Sequence, residues 1–135
     1  MATRCEIAIS DRSGQIKAKL YRHSDGYPDR VFGDLTEDIP AAFEKLKKAG
    51  RHFNAESLAS MLVVSSVGSN GVPGIVPCQD THGDVAYRYI VRIQDESTVS
   101  VEVGGDDRTE LIELQWEPLD RSQGTWAFAI SVIVP

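Results

Sequence analysis

The chain has 135 residues and a formal net charge of −6 at pH 7. This length suits one domain, and we expect a single domain over residues 1–135. The acidic balance argues against the binding of extended nucleic acid, because a surface that neutralises many phosphates needs clustered Lys and Arg. The two cysteines have no close spacing, so they indicate a reducing, cytoplasmic compartment rather than a disulfide framework. No apolar run approaches the length of a membrane span, so we expect no membrane partner.

The first twenty residues predict a β-hairpin. Apolar and polar side chains alternate over residues 5–10 and again over residues 16–21. This period of two is typical of half-buried strands. Between them lies a turn over residues 11–14, in which Gly14 can adopt a positive φ.

A loop over residues 21–29 (YRHSDGYPD) is predicted to follow the hairpin. Asp-Gly and Tyr-Pro are both turn formers, so the segment is expected to be ordered. We predict a positive φ at Gly26. Loops on rigid scaffolds are frequent places for binding groups, and this segment is therefore the first candidate for a functional site.

Two helices are predicted next. The first is capped by Thr36 or Asp38 and runs to about Ala49, a start that keeps Pro40 in the first turn. The second is predicted over residues 54–66. The apolar sides of these helices and of the last strand predict a set of buried residues: Phe43, Leu46, Leu58, Leu62, Trp126 and Phe128.

The rest of the chain predicts a long loop and then a run of strands. Residues 68–83 hold four glycines and two prolines, which favours a loop. Four alternating segments follow it, separated by turn residues. The resulting order is ββααββββ. We therefore predict an α+β fold with an antiparallel sheet of about six strands and both helices on one face.

The loop also carries a resemblance to a known group of proteins. Tyr21-Arg22-His23-Ser24-Asp25-Gly26-Tyr27-Pro28 resembles the Y-[RC]-H-[WS]-D-G-Y-P signature of small uncharacterised phage and bacterial proteins. Their N-terminal hairpin opens on Met-Gly-Thr-Arg, which is similar to Met1-Ala2-Thr3-Arg4 here. Gly83-Asp84 and Tyr87-Arg88-Tyr89 resemble their later G-D-x-x-Y-x-Y strand. The resemblance implies a phage or mobile-element protein and no particular chemistry.

Aromatic and arginine side chains in and near the loop predict a site for a small anionic, nucleotide-like ligand. Tyrosine rings offer stacking faces, and guanidinium groups offer paired donors to phosphate. We expect His23 and Arg88 to lie on the same side of the sheet, close enough to share that ligand. The predicted ligand-binding residues are Tyr21, Arg22, His23, Asp25, Tyr27, Arg88 and Arg92.

An enzyme is the first alternative to a binding protein. Imidazole and carboxylate groups two residues apart suit a divalent metal, and a histidine beside a carboxylate suits acid–base hydrolysis. The sequence requires no other cofactor and offers no recognisable nucleophile. The alternative metal ligands are His23, Asp25, His82 and Asp84.

A structural protein is the second alternative. A sheet with open edges needs them covered, and pairing with a second copy would cover them. This interpretation predicts a homodimer that forms through the sheet and binds no ligand.

Overall fold

The structure, a computed structural model, describes residues 3–79, 85–95, 98–105, 108–120 and 125–133. From residue 105 onward we describe the backbone alone. The elements in chain order are β1 (Cys5–Ser10), β2 (Ile16–Arg22), α1 (Pro28–Lys48), α2 (Ala55–Ser65), β3 (Ile75–Pro77), β4 (Tyr87–Asp95), β5 (Thr98–Gly105), β6 (Arg108–Asp120) and β7 (Thr125–Ile133).

The strands form one mixed sheet in the order β3-β2-β1-β4-β5-β6-β7. The predicted α+β class is confirmed, but the predicted six-stranded antiparallel sheet is wrong in two respects. The described part of the chain has seven strands, because the three-residue β3 forms within the glycine-rich segment. In addition, β4 pairs in parallel with β1. The chain crosses over through both helices between these two strands, which is the kind of connection that parallel strands require.

Helix α1 is longer than its sequence predicts. It begins at Pro28, where a proline is favourable because the first helical N–H has no intrahelical partner. The predicted start at Thr36 or Asp38 is therefore wrong, and Pro40 lies inside the helix. Burial of one face of the first half, including Val31 and Leu35, outweighs the weak helix propensity of that half.

Helix α2 begins as predicted. The side chain of Asn54 accepts a hydrogen bond from the Ser57 N–H at 2.9 Å, and the Ser57 hydroxyl accepts one from the Asn54 N–H at 2.9 Å. This reciprocal pair is a capping box, which satisfies two backbone donors at the helix start. The helix ends at Ser65, with Ser66 as its C-cap.

The core lies between the two helices and one face of the sheet. The register places Ile7 beside Leu20 on β2 and beside Tyr89 on β4, and all three are buried. Both helices pack on this face of the sheet. The predictions that Phe43, Leu46, Leu58 and Leu62 are buried are confirmed. The predictions for Trp126 and Phe128 concern side chains outside the described part of the structure.

Candidate functional site

The segment between β2 and α1 is held by close contact with the first residues of the chain. The Gly26 N–H donates to the Thr3 carbonyl at 2.9 Å, and the Tyr89 hydroxyl donates to the Gly26 carbonyl at 2.8 Å. A Cβ on Gly26 would lie 2.8 Å from the Cβ of Cys5. The positive φ (58°) belongs to Asp25, so our prediction of a positive φ at Gly26 is wrong. This position requires a glycine because two backbone segments approach closely there.

The predicted nine-residue loop is shorter than expected and divides between the two faces of the sheet. Tyr21 and Arg22 still belong to β2, and Pro28 already belongs to α1. Because side chains alternate along a strand, Arg22, opposite Cys5, lies on the face that the helices cover. Tyr21, opposite Glu6, lies on the other face, which we call the open face.

The open face carries a polar row across three strands. Tyr21 is opposite Glu6 on β1, and Glu6 is beside Arg88 on β4. The Tyr21 hydroxyl and the Nδ1 atom of His23 are 3.1 Å apart. These contacts place His23 and Arg88 on the same side of the sheet, as predicted, while a ligand shared between them stays a prediction.

On the open face, Arg88 forms an ion pair with a carboxylate of the protein itself. Its Nη1 atom lies 2.6 Å from Oε2 of Glu6, whose side chain is only 6% exposed. Arg92 lies further along β4, with its guanidinium against the turn at Gly14. The open face therefore has cationic groups, but its most central one already neutralises a buried acid.

The other predicted site residues are dispersed. Tyr27 is the exposed N-cap of α1, and the side chain of Asp25 is exposed. Of the predicted metal ligands, His82 and Asp84 lie outside the described residues. Among the residues that the structure does describe, no three His, Cys, Asp or Glu side chains are grouped so that they could hold a metal ion.

A cavity on the helix-covered side brings together a different set of polar groups. It has a volume of about 300 Å³ and lies between the first half of α1, the end of α2 and the strands β2 and β3. We call it the Arg22 cleft. Its polar lining consists of Arg22, Ser24, Arg30, Asp34, Asp38, Ser65 and Ser66.

Two arginines share one carboxylate oxygen in the Arg22 cleft. Oδ2 of Asp34 accepts from Nη1 of Arg22 at 2.9 Å and lies 3.4 Å from Nε of Arg30. Nε of Arg22 also donates to the Ser24 carbonyl at 2.8 Å. A guanidinium has five N–H groups. Three of those of Arg22 therefore make no hydrogen bond with any residue that the structure describes.

Asp38 lies one helical turn beyond Asp34 on the same wall of the cleft. It is half-buried and makes no hydrogen bond or ion pair within the described ranges. Burial raises the pKa of its carboxyl, and the nearby charges of Asp34 and Glu37 raise it further. Arg22 opposes this shift more weakly. The cleft thus combines guanidinium groups with unused donors and a carboxyl with unused acceptors.

Substitution of Asp38 by asparagine should not destabilise the fold at neutral pH. When the pKa of a carboxyl is higher in the folded state than in the unfolded state, the protein becomes less stable as the pH rises. For Asp38 this loss begins near the unfolded-state pKa of 3.8 and is complete above the folded-state pKa. Above that window, the ionised Asp38 opposes folding by a constant amount. The neutral asparagine side chain would remove this penalty, so the free energy of unfolding should match or exceed that of the wild type at pH 7. Urea denaturation at pH 4 and pH 7 measures the effect, and a less stable variant at pH 7 would contradict it.

The sequence pointed to Arg22 but missed the α1 wall of the cleft. Arg30 and Asp34 went unrecognised because the first helix was predicted to start only at Thr36 or Asp38, and Asp38 was considered only as a helix cap. Their spacing of four residues was the available signal, since such residues share one face of a helix.

Comparisons with known proteins leave the site to be interpreted from its own geometry. No family model, curated protein or solved structure matches the chain. None of the helices in the described part of the chain is long and apolar enough to cross a membrane.

Proposed function

We propose that this protein binds a small molecule by an oxyanion group, phosphate or carboxylate, in the Arg22 cleft. The proposal depends on the burial of the Arg22 side chain and on those of its N–H groups that are unpaired within the described residues. Its side chain is only 13% exposed, and three of its N–H groups have no hydrogen-bond partner among the described residues. These donors are open to the cleft, and charge-assisted hydrogen bonds from a guanidinium to an oxyanion are strong, so a ligand oxygen at Arg22 would complete the site.

The local charge also supports an anion, although the whole molecule is acidic. Arg22 and Arg30 both contact one oxygen of Asp34, so two positive charges face one negative charge. A partly enclosed site strengthens such local interactions, because less water is present to screen them.

The ligand class is that of anionic, nucleotide-like molecules. The cleft volume of about 300 Å³ is near the lower limit for small-molecule sites, which suits a ligand of that size. Ile75 adds an apolar side chain to the lining of the cleft. With the resemblance of the motif to phage proteins, we propose a non-enzymatic, cytoplasmic protein that sequesters such a molecule.

Calorimetric titration with a panel of nucleoside monophosphates, diphosphates and cyclic nucleotides tests the proposal. We expect at least one of them to bind wild-type protein and to raise its melting temperature progressively as the ligand concentration rises above the dissociation constant. Arg22→Lys keeps the positive charge but removes the planar fork of donors, and it should weaken binding by about tenfold or more. Arg51→Lys is the matched control, since Arg51 is an exposed arginine beyond the far end of α1.

Two outcomes would contradict the proposal. One is that no member of the panel binds the wild-type protein. The other is that Arg22→Lys and Arg51→Lys weaken binding equally, because the loss would then not depend on the guanidinium in the cleft. The melting temperature of each unliganded variant shows whether the variant is folded.

A further inference from the structure

We propose that Asp38 selects the ligand by accepting hydrogen bonds from the hydroxyl groups of a sugar, so that the ligand of the Arg22 cleft is a nucleotide or a sugar phosphate. This inference rests on the proposed function. It identifies the chemical group at the end of the ligand that lies away from the oxyanion. It makes Asp38 a residue that determines specificity at that site.

The spacing along α1 defines the shape of the ligand. Arg30, Asp34 and Asp38 line the same cleft at intervals of four residues. A helix rises 1.5 Å per residue, so each interval is about 6 Å. An oxyanion beside Arg22 and Arg30 therefore lies about 6–12 Å from Asp38. Inorganic phosphate fills only one end of this span, and the charged groups of an α-amino acid are too close together to fill both.

The chemistry of Asp38 defines the other end of the ligand. Its carboxyl has no hydrogen-bond partner within the described residues, and an ionised carboxylate accepts hydrogen bonds without donating any. Two vicinal hydroxyl groups can donate one hydrogen bond to each of its oxygens. The apolar side chain of Ile75 in the same cleft offers a surface for the C–H groups of a sugar ring. A ribose 5′-phosphate unit has both the hydroxyls and the required separation.

Paired titrations with adenosine 5′-monophosphate and its 2′,3′-dideoxy analogue test this inference. Hydrogen bonds to a charged group contribute enough to change affinity by about tenfold to a hundredfold. We expect wild-type protein to prefer the monophosphate with hydroxyls by about that factor. Asp38→Asn should retain binding of the dideoxy analogue and lose most of the preference. Glu37→Gln is the matched control, since Glu37 is the adjacent, exposed carboxylate and does not line the cleft.

The possible results separate this inference from the proposed function. If wild-type protein binds both nucleotides equally, the role of Asp38 is wrong while the oxyanion site stands. The same conclusion follows if Asp38→Asn leaves the preference unchanged. If neither nucleotide binds the wild-type protein, both proposals fail for this ligand class. Loss of preference in Glu37→Gln as well as in Asp38→Asn would assign the effect to general charge and overturn the inference.

Discussion

Gly26→Ala is expected to lower the free energy of unfolding by about 3 kcal/mol, the upper end of the range for inserting a methyl group into a packed site. The new Cβ would lie 2.8 Å from the Cβ of Cys5 and 2.9 Å from the Thr3 carbonyl oxygen. Neither atom is the end of a flexible side chain, so the backbone must move. That movement would also disturb the two hydrogen bonds of Gly26 with Thr3 and Tyr89.

The matched control is a second glycine, at which there is room for a Cβ atom. Gly33 is exposed within α1, and a Cβ there would meet no atom within 4 Å. Gly33→Ala should therefore stabilise the fold by about 0.5–1 kcal/mol, because alanine loses less backbone entropy in a helix. Urea denaturation measures both variants. A Gly26→Ala variant as stable as the wild type would show that the close approach at this position is wrong.

Leu35→Ala should cost about 2–5 kcal/mol of unfolding free energy, because it leaves a cavity in the core. Leu35 is 2% exposed and packs from the half of α1 that forms one wall of the Arg22 cleft. The substitution therefore tests whether this half of the helix is firmly packed.

Glu37→Ala is the control for the helix itself. Glu37 is exposed two residues further along α1, and its loss removes no buried contact. We expect a change within about 0.5 kcal/mol, as for most surface substitutions. If both variants have the same stability in thermal and urea denaturation, the first half of α1 is not packed as the structure shows.

The sequence was most informative where a local pattern and tertiary burial agree. The alternation around Ile7 and Leu20 predicted the N-terminal hairpin, and the Asn54 cap predicted the start of α2. Prediction failed for residues 29–36 because Gly33 and Pro40 suggest breaks in a helix. Only contact with the sheet, through residues such as Leu35, shows that the helix continues.

The candidate site was predictable only in part for a related reason. Strand alternation could have indicated that Arg22 and Tyr21 face opposite sides of the sheet, which separates residues adjacent in the sequence. The parallel pairing of β1 and β4 depends on the path of the chain through both helices. The contact of Arg22 with Asp34 depends in turn on the early start of α1. Neither follows from the periodicity of a single segment.

The most direct test of the Arg22 cleft is nuclear magnetic resonance of the Arg22 side chain during titration with adenosine 5′-monophosphate. If the oxyanion binds in the Arg22 cleft, we expect a saturable shift of the Arg22 Nε–H signal, with shifts of the backbone amides of Asp34 and Ser65 at the same ligand concentrations. Shifts confined to the open face, at His23 and Arg88, would contradict it, because the oxyanion would then bind on the other side of the sheet.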